Sequence, residues 1–161
     1  MRALIAITAL LAAPLLQAAD APSTTSAQTI YLPVYSHVYH GERDKNGKPS
    51  ETLVSTHVSI RNTDPVTPIR IHYARYFDTQ GKLVRNYINA PITIPPLGTH
   101  EIFIPRSDTA GGSGANFLLA WTSDSPANTP LIEALHADIR EARTLMFITS
   151  GTPIRVSDPA L

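Results

Sequence analysis

Residues 53–61 read LVSTHVSIR, and this stretch decides the fold class. The side chains of Val54, Thr56, Val58 and Ile60 alternate with more polar neighbours. A period of two over several residues is typical of an antiparallel strand that buries one face and exposes the other. The stretch therefore predicts a half-buried strand.

Comparable short runs occur on both sides of this strand. Residues 29–39 (TIYLPVYSHVY), 69–77 (IRIHYARYF) and 116–122 (NFLLAWT) are rich in the β-branched and aromatic residues that strands favour. Turn motifs separate such runs, among them Asn46-Gly47 and residues 78–81 (DTQG). We expect a single all-β domain: an antiparallel two-sheet sandwich of the immunoglobulin-like kind, with seven to eight strands.

Two segments are harder to interpret. In residues 69–77, alternation places Ile69, Ile71, Tyr73 and Phe77 on one face, and Arg75 then falls on the apolar side. This position indicates a local irregularity or a buried ion pair. Residues 131–143 combine helix-forming residues with apolar spacings that suit either a helix or a strand, so the spacing alone leaves both open.

The N-terminus has the layout of a secretory signal. Arg2 precedes an apolar run, and small residues follow near Ala18 and Ala19. We expect a cleaved signal peptide over residues 1–19, a flexible leader over 20–28 and the sandwich domain over 29–161. The mature protein is then periplasmic or secreted and has no membrane-spanning segment.

Composition excludes several classes of function. Lys and Arg number 13, Asp and Glu also number 13, and the formal net charge is +0. A chain without net basic charge lacks the electrostatic footprint of a general nucleic-acid binder. The chain has no cysteine, which excludes disulfides, thiolate zinc sites and a thiol nucleophile.

Three motifs occur in order along the chain: YSHVYHG at residues 35–41, SIRNTD at 59–64 and GGSGANF at 111–117. With them the chain resembles an uncharacterised bacterial family of exported proteins, a domain-of-unknown-function family. The resemblance spans about residues 30 to 151 and implies no activity. It also implies that residues 131–138 form a strand.

The first motif carries the most unusual chemistry. His37 and His40, with His72 as a further ligand, are candidates for binding Zn²⁺ or Cu²⁺ through imidazole nitrogens. On a straight strand, however, His37 and His40 point to opposite faces. A shared metal therefore requires a bulge or a strand end near Gly41, and satisfaction of backbone groups at a strand end is the better interpretation.

The glycine-rich motif fits a tight connection better than a catalytic loop. A strand rather than a helix is expected to follow it, which argues against phosphate binding. Ser113 lacks the spacing of a nucleophile elbow, and Asn116 is suited to closing the turn. On the middle strands, Arg70 and His72 are expected to project outward together.

These observations favour an exported, non-enzymatic binding module of the cell envelope that acts through loops and an exposed strand edge, with an envelope protein or a surface polymer as partner. The Tyr-rich segment Ile30 to Tyr39 is the expected place for strand addition. A periplasmic metal-binding module is the alternative, and a hydrolase has the least support. The candidate binding residues are Tyr35, His37, Tyr39, His40, Arg70, His72, Ser113 and Asn116.

Overall fold

The computed structural model of the protein describes residues 24–155, and the regular secondary structure of these residues consists of strands alone. The signal peptide expected over residues 1–19 lies outside the described residues. The twelve strands are β1 (Thr24–Pro33), β2 (His37–Arg43), β3 (Pro49–Leu53), β4 (Ser55–Arg61), β5 (Ile69–Phe77), β6 (Leu83–Asn86), β7 (Ile92–Ile94), β8 (Thr99–Ile104), β9 (Asn116–Asn128), β10 (Leu131–Arg140), β11 (Arg143–Ser150) and β12 (Thr152–Ile154).

The strands form two main sheets and a separate hairpin. The larger sheet has the order β12-β1-β9-β5-β6, with β7 also paired to β5, and the smaller has the order β11-β10-β4-β8. Strands β2 and β3 form the hairpin. All pairings are antiparallel, which confirms the all-β sandwich. The strand number exceeds the expected seven to eight because short strands such as β6, β7 and β12 count as separate elements.

The core lies between the two sheets. The six-stranded sheet contributes Leu32, Leu119 and Trp121, and the four-stranded sheet contributes Val58 and Ile60, all at most 1% exposed. The alternation in residues 53–61 is therefore confirmed. Removing such side chains from water supplies about 1.5–3 kcal/mol each, so apolar burial holds the sheets together without disulfides.

Strand β5 contains the irregularity that Arg75 indicated. The register against β9 shifts between Ile71 and Tyr73. After this bulge the inward positions are Ala74 and Tyr76, which are buried, so the expected inward placement of Tyr73 and Phe77 is wrong. The Arg75 guanidinium lies 4.2 Å from the centre of the Tyr73 ring. One extra residue in a strand reverses the side-chain alternation beyond it, which explains the error.

Two segments are strands although the sequence did not clearly predict it. Residues 131–140, which suited either a helix or a strand, form β10 and pair with both β4 and β11. Residues 24–28 were expected to be a flexible leader, but they belong to β1, where Thr24 pairs with Asn128 and Gln28 with Trp121. Small polar residues are weak strand formers on their own, and here pairing with the long strand β9 determines their conformation.

Within residues 24–155, no helix is long and apolar enough to cross a membrane.

Candidate functional site

An open cleft of about 630 Å³ lies where the β2–β3 hairpin, the glycine-rich loop and β11 meet. Its walls combine aromatic rings, aliphatic side chains and hydroxyl groups. The lining residues are Tyr35, His37, Val38, Tyr39, Ser113, Leu145, Phe147 and Thr149. Concave, mostly apolar surfaces with a few polar groups are the usual form of ligand sites.

The hairpin supplies one wall. His37 pairs with Leu53, and His40 with Ser50, before the register shifts between His40 and Arg43. His37 and Tyr39 lie two residues apart on one face of β2, and their ring centroids are 4.8 Å apart in an edge-to-face arrangement. Tyr39 is 53% exposed, so its ring is available to a ligand.

The glycine-rich loop supplies a second wall and is held from two sides. The Gly112 carbonyl accepts hydrogen bonds from the backbone N–H and the hydroxyl of Ser36, at 3.0 and 3.1 Å. The Gly111 carbonyl accepts two more from Thr79. Gly112 has a φ of 77°, a conformation that glycine adopts without steric cost. These contacts fix the backbone that presents Ser113 to the cleft.

The floor of the cleft is formed by Tyr35 and Phe147, which pack on the buried His136 behind it. The His136 ring stacks on Phe147 with centroids 4.4 Å apart, and Tyr35 packs edge-on against both rings. The backbone N–H of Tyr35 donates to His136 Nε2 at 3.1 Å, so this nitrogen carries no proton. Burial lowers the pKa of His136 from 6.5 to about 4, while the backbone of Phe147 and Ala134 opposes the shift. At neutral pH the floor is therefore uncharged.

His37 has one ring nitrogen without a partner. Ser36 Oγ donates its proton to the Gly112 carbonyl and lies 3.3 Å from His37 Nδ1, so Nδ1 is the donor in that contact. Nε2 is then a hydrogen-bond acceptor. It is shielded from water and has no hydrogen-bond partner among the described residues. An unsatisfied buried polar group costs about 1–3 kcal/mol, and a ligand removes that cost only if the ring turns to expose this nitrogen.

The structure brings four of the eight predicted binding residues into the cleft: Tyr35, His37, Tyr39 and Ser113. His40 lies outside it, with Nε2 2.9 Å from the Thr52 hydroxyl. Arg70 and His72 share the outer side of the six-stranded sheet, where His72 Nε2 is 2.8 Å from Thr122 Oγ1. Asn116 begins β9 and pairs with Pro33 and Phe77.

The predicted metal ligands are not brought together. His37 faces the cleft, His40 contacts Thr52, and His72 contacts Thr122 on the six-stranded sheet. Among residues 24–155, no group of three or more His, Cys, Asp or Glu side chains is placed to hold a metal ion. The opposite orientation of His37 and His40 follows from the side-chain period of a strand.

The segment expected for strand addition, Ile30 to Tyr39, is covered only in part. Thr29–Tyr31 of β1 pair with β12 on one side and with β9 on the other, whereas β2, which begins at His37, pairs with β3 alone among the described residues. The edges of the four-stranded sheet are β11 and β8. The side chains of β11 on the inner face, Leu145, Phe147 and Thr149, line the cleft. The sequence gives no signal of what these residues face, since that depends on contacts with distant residues.

These features define an antiparallel β-sandwich with an aromatic cleft beside a sheet edge. Residues 27–154 match the family described as "Protein of unknown function (DUF3124)", and the chain belongs to this family. The expected membership of a domain-of-unknown-function family is thereby confirmed. A comparison with curated proteins finds no match.

Among solved structures, the chain is similar to the one described as "Crystal Structure of Thermotoga maritima 1070". The similarity covers 79% of this chain and 94% of that chain, with a TM-score of 0.44 and 12% sequence identity. At this level it carries no argument about function.

Proposed function

We propose that this protein is an exported, non-enzymatic interaction module of the cell envelope that binds an extended segment of a partner protein in the aromatic cleft. The observation that carries the proposal is His37, whose Nε2 has no partner among the described residues and whose side chain lines a cleft together with Tyr35, Tyr39 and Phe147. Export rests on the layout of residues 1–19 and is part of the proposal.

The edge of β11 supports a peptide as the ligand. Within the described residues β11 pairs with β10 alone, which leaves one row of its backbone N–H and C=O groups without a ladder partner. An extended peptide can pair with such a row while its alternate side chains enter an adjacent pocket. Thr149 Oγ1 donates to the Pro33 carbonyl at 2.6 Å. The end of β1 therefore covers the β11 edge near Thr149.

The polar groups of the cleft fit the same ligand. A backbone N–H of a peptide is the donor that His37 Nε2 lacks, and binding must turn the His37 or Tyr39 ring to uncover this buried nitrogen. The rings of Tyr39 and Phe147 offer flat apolar surface for a side chain. Tyrosine is enriched at protein interfaces because it combines a large apolar ring with a polar hydroxyl.

A binding role agrees better with this chemistry than hydrolysis does. Ser113 has no hydrogen bond to a histidine among the described contacts, and the His37 nitrogen nearest a serine donates to that serine. A nucleophile needs a base positioned to accept its proton.

The proposal is tested by site-specific photocrosslinking in living cells. A photoreactive amino acid replaces Tyr39 in the full chain, and, as a matched control, Tyr31, which is 38% exposed on β1. We expect position 39 to yield a discrete adduct with one protein, whose crosslinked residues form a contiguous segment. His37→Phe, which removes the acceptor, is expected to reduce the adduct.

Three outcomes contradict the proposal. Equal labelling from positions 39 and 31, or an adduct with a glycan alone, excludes a protein ligand in the cleft. A mature protein that retains residues 1–19 in the cytoplasmic fraction excludes export.

A further inference from the structure

Three arginines from separate parts of the chain converge on one carboxylate. Arg106 follows β8, Arg140 ends β10 and Arg143 begins β11. Their nitrogens lie 3.1, 3.0 and 2.8 Å from the carboxylate oxygens of Asp138. The Asp138 side chain is 1% exposed. We call this group the arginine triad.

The carboxylate of Asp138 is fully used by these contacts. Oδ1 accepts from Arg106 and Arg140, and Oδ2 accepts from Arg140 and Arg143. These hydrogen bonds hold the pKa of Asp138 at about 2. A guanidinium has five N–H donors, so most donors of the triad remain. Within residues 24–155 these donors have no other protein acceptor.

The three arginines carry more positive charge than the single carboxylate of Asp138 neutralises. Three guanidinium groups face one carboxylate, which leaves two positive charges without a partner among the described residues. Arg140 and Arg143 stand directly opposite each other across β10 and β11. Like charges at such positions destabilise a sheet. Each of the three side chains remains about half exposed, at 50 to 53%.

Two of the three arginines, Arg106 and Arg140, line a hollow, and Arg143 contacts Asp138 from outside its lining. A cavity of about 460 Å³ is lined by Ser55, Arg106, Ala137, Asp138, Ile139 and Arg140. We propose that the arginine triad binds a doubly charged oxyanion of the phosphate type, either as free phosphate or as a phosphate monoester on a larger molecule. Its two negative charges match the two uncompensated positive charges, and planar guanidinium groups bind phosphate oxygens in pairs. Asp138 orients the arginines.

The first test titrates the protein with inorganic phosphate at pH 7.5 and constant ionic strength, with chloride as the reference anion. Binding is followed by calorimetry and by the shift in thermal midpoint. We expect saturable binding of phosphate that chloride does not reproduce. Arg140→Gln and Arg106→Gln are each expected to weaken it about tenfold or more, since each removes charge-assisted hydrogen bonds to the anion.

The matched control is Arg61→Gln, which removes the same charge from an exposed position at the end of β4. It is expected to leave phosphate affinity within about twofold. Arg140→Lys keeps the charge but loses the paired donors, and it serves if the glutamine variants fold poorly. Equal thermal midpoints in phosphate and chloride, or equal phosphate affinity of the Arg140 variants and Arg61→Gln, overturn the proposal.

A second arm identifies the source of the phosphate. Sedimentation with vesicles containing phosphatidic acid, whose headgroup is a phosphate monoester, is compared with phosphatidylglycerol vesicles of equal charge density. Preference for phosphatidic acid that Arg140→Gln abolishes assigns a lipid headgroup, whereas phosphate binding without vesicle preference assigns a free phosphate or a phosphorylated soluble molecule. Because this site is separate from the aromatic cleft, His37→Phe is expected to leave it unchanged.

Discussion

His136 predicts a specific dependence of stability on pH. Its ring is fully buried, and burial lowers its pKa from 6.5 to about 4. Below pH 6.5 the unfolded chain takes up a proton that the folded protein does not accept until about pH 4. Stability from this group is therefore complete above pH 6.5 and falls as the pH decreases through that window. Between pH 7.5 and pH 5 the calculated loss is about 2 kcal/mol.

The assay is urea unfolding at a series of pH values between 7.5 and 4. We expect the wild-type free energy of unfolding to fall by about 2 kcal/mol at pH 5. His136→Gln can still accept the hydrogen bond from the Tyr35 N–H, and it is expected to lower stability at neutral pH but to flatten the pH dependence. His57→Gln changes a partly exposed histidine beside Glu101 and serves as the control.

The reasoning is refuted if the wild type shows no loss above pH 5, or if His136→Gln retains the full dependence. Direct observation of the His136 ring by NMR gives an independent check. Its signals are expected to stay those of a neutral imidazole at pH 5.5.

Three other substitutions, two of them with a matched control, have defined outcomes. Gly111→Ala places a methyl group against the Tyr76 hydroxyl, and we expect a loss of about 1–3 kcal/mol with an altered near-ultraviolet dichroism; an unchanged spectrum and midpoint contradict this. Phe117→Ala removes a ring packed against Tyr76 and Tyr87, and should cost about 3–5 kcal/mol in urea unfolding. Phe103→Ala, at an exposed position, should cost less than about 0.5 kcal/mol, and equal losses would be inconsistent with the core described. Asp138→Asn leaves three arginines without their carboxylate, so the thermal midpoint at pH 7 should fall. The dependence of stability on pH between 4 and 2 should become shallower, because the carboxyl group that titrates there is gone. Asp124→Asn, at an exposed position, should change neither.

The fold class was predictable from local patterns. The alternation of Val54, Thr56, Val58 and Ile60 depends only on the period of a strand, and all four are buried. The run at residues 116–122 indicated a strand, and it forms the first part of β9, which lies between β1 and β5. The bulge in β5 was visible only as the misplaced Arg75, because a bulge arises from pairing with another strand.

Half of the residues that line the cleft were predictable, because local composition alone singled them out. Tyr35, His37, Tyr39 and Ser113 belong to runs whose composition is unusual in itself. Their partners across the cleft, such as Phe147, look like ordinary strand residues. The arginine triad was missed because Arg106 lies far from Asp138 in the sequence, and the spacing of Asp138 and Arg140 was compatible with a helical turn.

The position of β1 determines the order in which the molecule can fold. Thr29 pairs with Ala120 on one side and with Ile154 on the other, so the first strand waits for partners from the last third of the chain. Such long-range pairings carry a large entropy of loop closure and slow folding. Until β9 and β12 are available, β1 has no strand to pair with, so the six-stranded sheet is complete only when residues 152–154 have joined it.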